Sequence, residues 1–276
     1  MQGTRTQGIP DWLMALLRCP VCTQPALRRR AWTGLECEAC GHQPPLQAGL
    51  LDLTAGLGGP PRLDRPYEGF SGKAYATFMD HLWMQHLDSW LLGMRAEDYH
   101  ERMVEQLSAL PPGPSLDIPS GGSPFLGIVP GYMQGGPWLL ADLSWTMLRH
   151  AQRKCEALGL REVVLIRADA CRLPLRSRGL LNIVSLFGFH CFHDKAAVFA
   201  EMSRCLMPQG RLLASTLTSD GPLGSRLYLK LNQRDGTFAA NNSLHEIGEQ
   251  AQRQLLKMNV LSRLGAAVIL EMRHGA

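Results

Sequence analysis

The chain has 276 residues, 45% of them apolar, which suffices to bury one large core or a small module beside a domain of about 200 residues. Lys and Arg number 28 against 24 Asp and Glu, and the resulting net charge of +4 falls well short of a dedicated nucleic-acid binder. No apolar run approaches the ~20 residues needed to cross a bilayer, and the N-terminal stretch, interrupted by Asp11, is a poor signal peptide. The cytoplasm is therefore the expected compartment, where eight cysteines favour metal binding and buried thiols over disulfides.

Four of the cysteines crowd into residues 19–40 as two knuckles, Cys19-Pro-Val-Cys22 and Cys37-Glu-Ala-Cys40, with 14 residues between them. Each knuckle lets two thiolates converge on one ion, and the pair completes a tetrahedral four-sulfur site. This predicts a structural zinc in a ribbon spanning residues 1–54, stapling a module too small to build its own core. A closed shell of four ligands leaves no position for water, so the metal is structural rather than catalytic. His42 follows closely enough to substitute as a ligand. Arg28, Arg29 and Arg30 between the knuckles read either as a solvated face or as part of an RNA-contacting patch, since phosphate affinity needs several such contacts.

Residues 41–70 are rich in Gly and Pro and predict an irregular exit from the ribbon. Within 55–110, a linker and helical cap are expected: FMDHLWMQHLDSWLL and MRAEDYHERMVEQLSAL place apolar residues three and four apart. From 111 to 276 the texture alternates. SLDI, PWLLADL, EVVLIRADA, LLNIVSLFGF, GRLLASTL and VILEMR predict strands, and SWTMLRHAQRKCEALG, HDKAAVFAEMSRCL and HEIGEQAQRQLLKMN predict helices. The alternation implies an α/β, doubly wound, mostly parallel sheet covered on both faces.

Four signals lie along that alternation. Leu116-Asp117-Ile-Pro-Ser-Gly121-Gly122-Ser123 makes a strand-to-turn junction where glycine lets the backbone approach a ligand. Asp142, ending the next strand about 20 residues on, can accept hydrogen bonds from two ribose hydroxyls. Asp169-Ala170 can read an adenine edge, and Glu201 to Gly210 is a helix running into a Pro/Gly turn. In order and distance these are the marks of a class I S-adenosylmethionine-dependent methyltransferase. The stretch Ser115 to about Leu217 resembles the ubiquinone/menaquinone-biosynthesis type, through Asp142-Leu-Ser, Asp169-Ala-Cys-Arg-Leu-Pro, Ser185-Leu-Phe-Gly-Phe-His190 and Arg204-Cys-Leu-Met-Pro. The cysteine module and Gly49-Leu-Leu-Asp-Leu-Thr54 resemble the zinc-ribbon start of a plant and bacterial subgroup.

The resemblance implies that Asp117, Gly121 and Gly122 meet the methionine end of S-adenosylmethionine, Asp142 and Leu143 the ribose, Asp169 and Ala170 the adenine, and Leu186 the rim after the fourth strand of the domain. Pro119 and Ser123 stand where the family usually keeps its outer glycines, and Leu181 or Asn182 where it usually begins that strand with an acid. Methyl transfer from an activated sulfonium depends chiefly on positioning, though an O- or N-acceptor can need a base. His190, or His193, after the fourth strand of the domain is the candidate, with a structural loop histidine as the alternative. The expected activity is methyl transfer to a small molecule. The competing readings are rRNA methylation with the ribbon reading RNA, and a non-catalytic binding protein that keeps the fold.

Overall fold

Strands with near-continuous apolar runs, such as Leu-Leu-Ala and Ile-Val, need cover on both faces, and the sheet they form is arranged accordingly. The computed structural model describes residues 9–30, 34–47, 49–54, 67, 92–126, 129, 133, 136–160, 162–234 and 236–275. In chain order these hold α1 (Asp11–Leu16), β1 (Leu27–Arg30), β2 (Gly34–Cys37), β3 (Leu46–Gln47), β4 (Leu50–Asp52), α2 (Ala96–Ser108), β5 (Ser115–Asp117), β6 (Trp138–Asp142), α3 (Trp145–Ala157), β7 (Val163–Arg167) and β8 (Leu180–Leu186). They continue with α4 (Lys195–Cys205), β9 (Leu206–Leu217), α5 (Leu223–Arg234), α6 (Leu244–Arg253), β10 (Leu256–Leu264) and β11 (Ala267–His274).

β1 and β2 form a separate antiparallel hairpin. The other nine strands form one sheet in the order β10-β11-β9-β8-β5-β6-β7-β4-β3. β4, β7, β6, β5, β8 and β9 pair in parallel, while β11 runs antiparallel to both β9 and β10. The strand order reverses at β5, which lies between β6 and β8. The crevice at the carboxyl ends of β5 and β6 is where open α/β sheets take their ligands. The fold is thus α/β and Rossmann-like, as the alternating pattern predicts.

Helix caps follow local chemistry. The Ser144 side chain accepts from Met147 N–H at the start of α3, and Asp194 from Ala197 N–H at α4. Ser243 and Glu246 form a reciprocal capping box at α6.

The cysteine module is built into this sheet. The β3–β4 hairpin, within the span read as ribbon, adds β4 in parallel to β7 through Leu51 opposite Ile166. Leu17 bridges Leu175, Arg18 N–H donates to Pro174 O, and Arg176 N–H donates to Leu16 O. Leu13, Leu17, Leu27, Leu35, Cys19 and Cys37 share one buried cluster with Leu116, Leu139, Ile166 and Phe199.

Three local expectations change or fall elsewhere. The Pro208–Gly210 turn is absorbed into β9: partners step from Leu180↔Leu206 to Asn182↔Arg211, so the extra residues loop out as a bulge without ending the strand. The helix expected through Asn259 ends at Arg253, and residues 256–264 pair along β11 instead. A tight hairpin at Gly265, φ +59°, sets that register and outweighs the helical spacing. The segment FMDHLWMQHLDSWL of the expected cap lies outside the described residues, whereas its second half forms α2.

Candidate active site

β5 ends at Asp117, followed by a cis Ile118–Pro119 peptide and a tight turn in which Ser120 N–H donates to Ala141 O at 2.9 Å. This ties the glycine turn to the end of β6. Gly121 takes φ +52°, and a Cβ there would face open space, so the turn leaves a cradle where backbone and ligand can meet closely. Asp142, buried at the end of β6, accepts from Gly121 N–H through Oδ2 and from Ser144 N–H through Oδ1, each at 2.8 Å. These two backbone N–H donors brace the carboxylate beside the glycine turn.

Ser123 holds φ +48°, the left-handed conformation that glycine adopts without strain. Its Oγ reaches Ser120 O only at 3.4 Å. Ser123→Gly is therefore expected to raise stability by about 0.5–1 kcal/mol. Urea denaturation checks this, and a lower midpoint would show that the hydroxyl contact outweighs the backbone strain.

Polar atoms without partners collect around the same crevice. Among the described residues, Asp117 Oδ1, Ser120 Oγ and Ser185 Oγ are buried and unbonded. Burial, and then the negative Asp142 nearby, push the Asp117 carboxyl well above the usual carboxylate range. Such orphans are costly unless a ligand satisfies them. An ammonium and a carboxylate, the two charges at the methionine end of S-adenosylmethionine, match this donor and acceptor set. The residues present fit that cofactor.

On the far side of β5, an aromatic series borders the end of β8. Tyr99 on α2 donates to or accepts from Ser215 at 2.8 Å and lies 4.8 Å, ring to ring, from Phe187. Phe187 meets His190, which meets Phe238 edge-on at 4.5 Å; Phe238 in turn contacts Tyr228 of α5. His190 is buried, and its Nδ1 accepts from Leu217 N–H at 3.3 Å, which assigns the ring proton to Nε2. Burial, with the nearby Lys195 cation, lowers its pKa to about 3. His190 is therefore a neutral ring at physiological pH, better suited to donating a hydrogen bond than to taking up a proton. Lys195 donates to Phe192 O and, at 2.8 Å, to Ala240 O, holding the 237–242 segment over this end of the sheet.

Asp117, Gly121, Gly122 and Asp142 converge on one turn, with Leu143 next in the chain. Asp169 and Ala170 follow the adjacent β7, where Ala168 N–H donates to Asp142 O, and Asp169 Oδ1 accepts from Cys171 N–H. Leu186 ends β8, half-buried. His193 is exposed, its Nδ1 3.2 Å from Cys191 O. Tyr67 carries no sequence signal of a role, yet its carbonyl accepts from Ser144 Oγ at 2.7 Å and its hydroxyl lies 3.3 Å from Cys191 Sγ. That places it between the ends of β6 and β8. No motif surrounds it. Tyr99 is hidden in the sequence for a different reason: with Met103 and Leu107 it reads as one apolar helix stripe.

The four N-terminal cysteines bring their sulfurs within 4.8 Å of one another. Cys19–Cys40 and Cys22–Cys37 are 3.7 and 3.6 Å apart. Four sulfurs at about 2.3 Å from a central zinc would be separated by about 3.8 Å, so the cluster has the size of a tetrahedral thiolate site. His42 is not in the cluster among the described residues. Of the arginines nearby, Arg28 pairs with Glu36 and Glu38, and Arg29 with Asp11.

Buried Arg167 links the module's β4 to the crevice. It pairs with Asp52 of β4 at 3.2 Å, donates to Leu143 O at 2.7 Å, and lies over Trp145.

Comparison with known proteins agrees with this architecture. Residues 116–210 match the family described as a methyltransferase domain. The demethylmenaquinone methyltransferase of Thermus thermophilus is 32% identical over 115 residues, 42% of this chain and 52% of that protein. An uncharacterized chloroplastic methyltransferase of Arabidopsis thaliana is 36% identical over 69 residues, 25% of this chain and 19% of the relative. This chain thus spans about half or less of the length of these curated relatives. A solved S-adenosylmethionine-dependent methyltransferase from Aquifex aeolicus superposes with a TM-score of 0.53 at 17% identity, covering 72% of this chain and 97% of that one.

The fold is therefore that of the Rossmann-like methyltransferases. The domain match and the relatives named as methyltransferases support an S-adenosylmethionine-dependent enzyme.

Proposed function

We propose that the chain transfers a methyl group from S-adenosylmethionine to a small, largely apolar molecule, and that a structural zinc holds its N-terminal module. The observation that carries this reading is the crevice at β5 and β6. There a braced Asp142 faces the open cradle of Gly121, and the buried atoms of Asp117, Ser120 and Ser185 await partners. Asp142 and Leu143 would hold the ribose, Asp169 and Ala170 the adenine, Asp117, Gly121 and Gly122 the methionine end, and Leu186 the rim. The cofactor supplies the activated methyl group; the chain's part is to align the acceptor with it.

Tyr99, Phe187, Phe238 and Tyr228 favour a flat apolar acceptor, and a demethylmenaquinone methyltransferase is among the relatives. His190 Nε2–H would orient such an acceptor by hydrogen bonding. The eight free thiols suit a reducing compartment such as the cytoplasm. No helix among the described residues is long and apolar enough to cross a membrane.

Calorimetric titration tests the reading. Pro119 lacks an N–H and so removes one donor from the turn. Binding of S-adenosylmethionine and its demethylated product is therefore expected at micromolar affinity or weaker, about −8 kcal/mol or smaller in magnitude. If neither ligand binds the folded, metal-loaded protein at millimolar concentration, the chain is a binding scaffold rather than an enzyme.

A further inference from the structure

The helix α5, Leu223–Arg234, presents two different ridges to solvent. Leu223, Leu227 and Leu231 are 82%, 59% and 52% exposed, although apolar side chains at spacings of four normally mark a buried stripe. Arg226, Lys230 and Arg234, also exposed and also four apart, form the neighbouring ridge. The opposite face carries Ser225 and Leu229, which are buried, Leu229 packing with Leu217, Phe238 and Ala266. No Asp or Glu occurs from Gly221 to Arg234. The helix is thus anchored by one face, with a complete second amphipathic face turned outward.

We infer that this outward face docks on an anionic lipid surface. Leucines beside a row of cations match the boundary of such a bilayer, where acyl chains begin just beneath negatively charged headgroups. Other occupants fit less well. A second copy of the chain would bring two rows of cations to one interface with no acid on either helix to neutralise them. A nucleic acid would match the cations and leave the leucines facing phosphate and water. The same helix contributes Tyr228 to the aromatic series that reaches His190, so docking would set the mouth of the proposed acceptor site against the membrane, where an apolar acceptor resides. The docking itself does not depend on methyl transfer.

Flotation of the full chain with vesicles tests the inference. Phosphatidylcholine vesicles carrying about a third phosphatidylglycerol are compared with phosphatidylcholine alone, since the anionic lipid supplies the surface potential. The protein should float with the anionic vesicles only, and less as salt is raised. The triple variant Leu223→Ser, Leu227→Ser, Leu231→Ser should lower the partition coefficient at least about tenfold, because three buried leucines leave the acyl boundary. Arg226→Gln, Lys230→Gln, Arg234→Gln should remove the salt dependence. All six side chains are exposed, so both variants should keep the native circular dichroism spectrum and the wild-type response to S-adenosylmethionine. Absence of flotation by the wild-type chain overturns the inference, as does equal flotation of the leucine variant. So does a wild-type chain that ignores vesicles while retaining RNA on a filter, or one that self-associates through these leucines in sedimentation.

Discussion

Asp142→Ala should weaken S-adenosylmethionine binding at least about tenfold, since each hydrogen bond to a charged acceptor contributes roughly 1.5–3 kcal/mol. The structure adds a second consequence. Gly121 N–H and Ser144 N–H both lose their acceptor, and an unsatisfied buried donor costs about 1–3 kcal/mol. The variant should therefore also unfold at lower denaturant while retaining its circular dichroism spectrum in buffer. Titration calorimetry and urea denaturation separate the two effects. An unchanged dissociation constant would place the ribose elsewhere.

Removing the proposed zinc should destabilise far more than the small module. Cys19 and Cys37 are buried in the same cluster as Leu116, Leu139 and Ile166 of the sheet, so loosening the knuckles opens the main core. A loss of about 3 kcal/mol, which corresponds to a fall of about 6–12 °C in Tm for a chain of this size, is expected on chelation or in Cys37→Ser. Elemental analysis should give close to one zinc per wild-type chain. A metal-free protein with an unchanged, single calorimetric transition would remove the zinc reading.

The sequence makes the sheet legible because its central strands are buried on both faces and written in Leu, Ile and Val, while amphipathic α3 and α4 intervene. The positions of Asp117, Gly121 and Asp142 at strand ends and in a tight turn are legible for a related reason, because such places leave a local signature. Long-range arrangement leaves none. Nothing in Leu50-Leu51-Asp52 says that these residues lie beside β7, because pairing depends on an edge supplied much later in the chain. β10 is obscured by the helix-like spacing of Ile247, Ala251, Leu255 and Met258, which a hairpin at Gly265 overrides. The position of His190 after the fourth strand of the domain is legible, but its protonation is set by Leu217 and by burial, contacts that only the folded chain makes.

The placement of β4 bears on the order in which the molecule assembles. Asp52 and Arg167 are 115 residues apart in the chain, and closing so long a loop delays the pairing relative to contacts made nearby. As a ribosome releases the chain from its N-terminus, the cysteine knuckles emerge well before β7 exists to receive β4. A metal that fixes the knuckles early would preserve the shape of this first segment while its partner strand is still being made. Joining β4 to the sheet would then be a late step, the one at which Arg167 gains Asp52 and closes the wall behind Leu143.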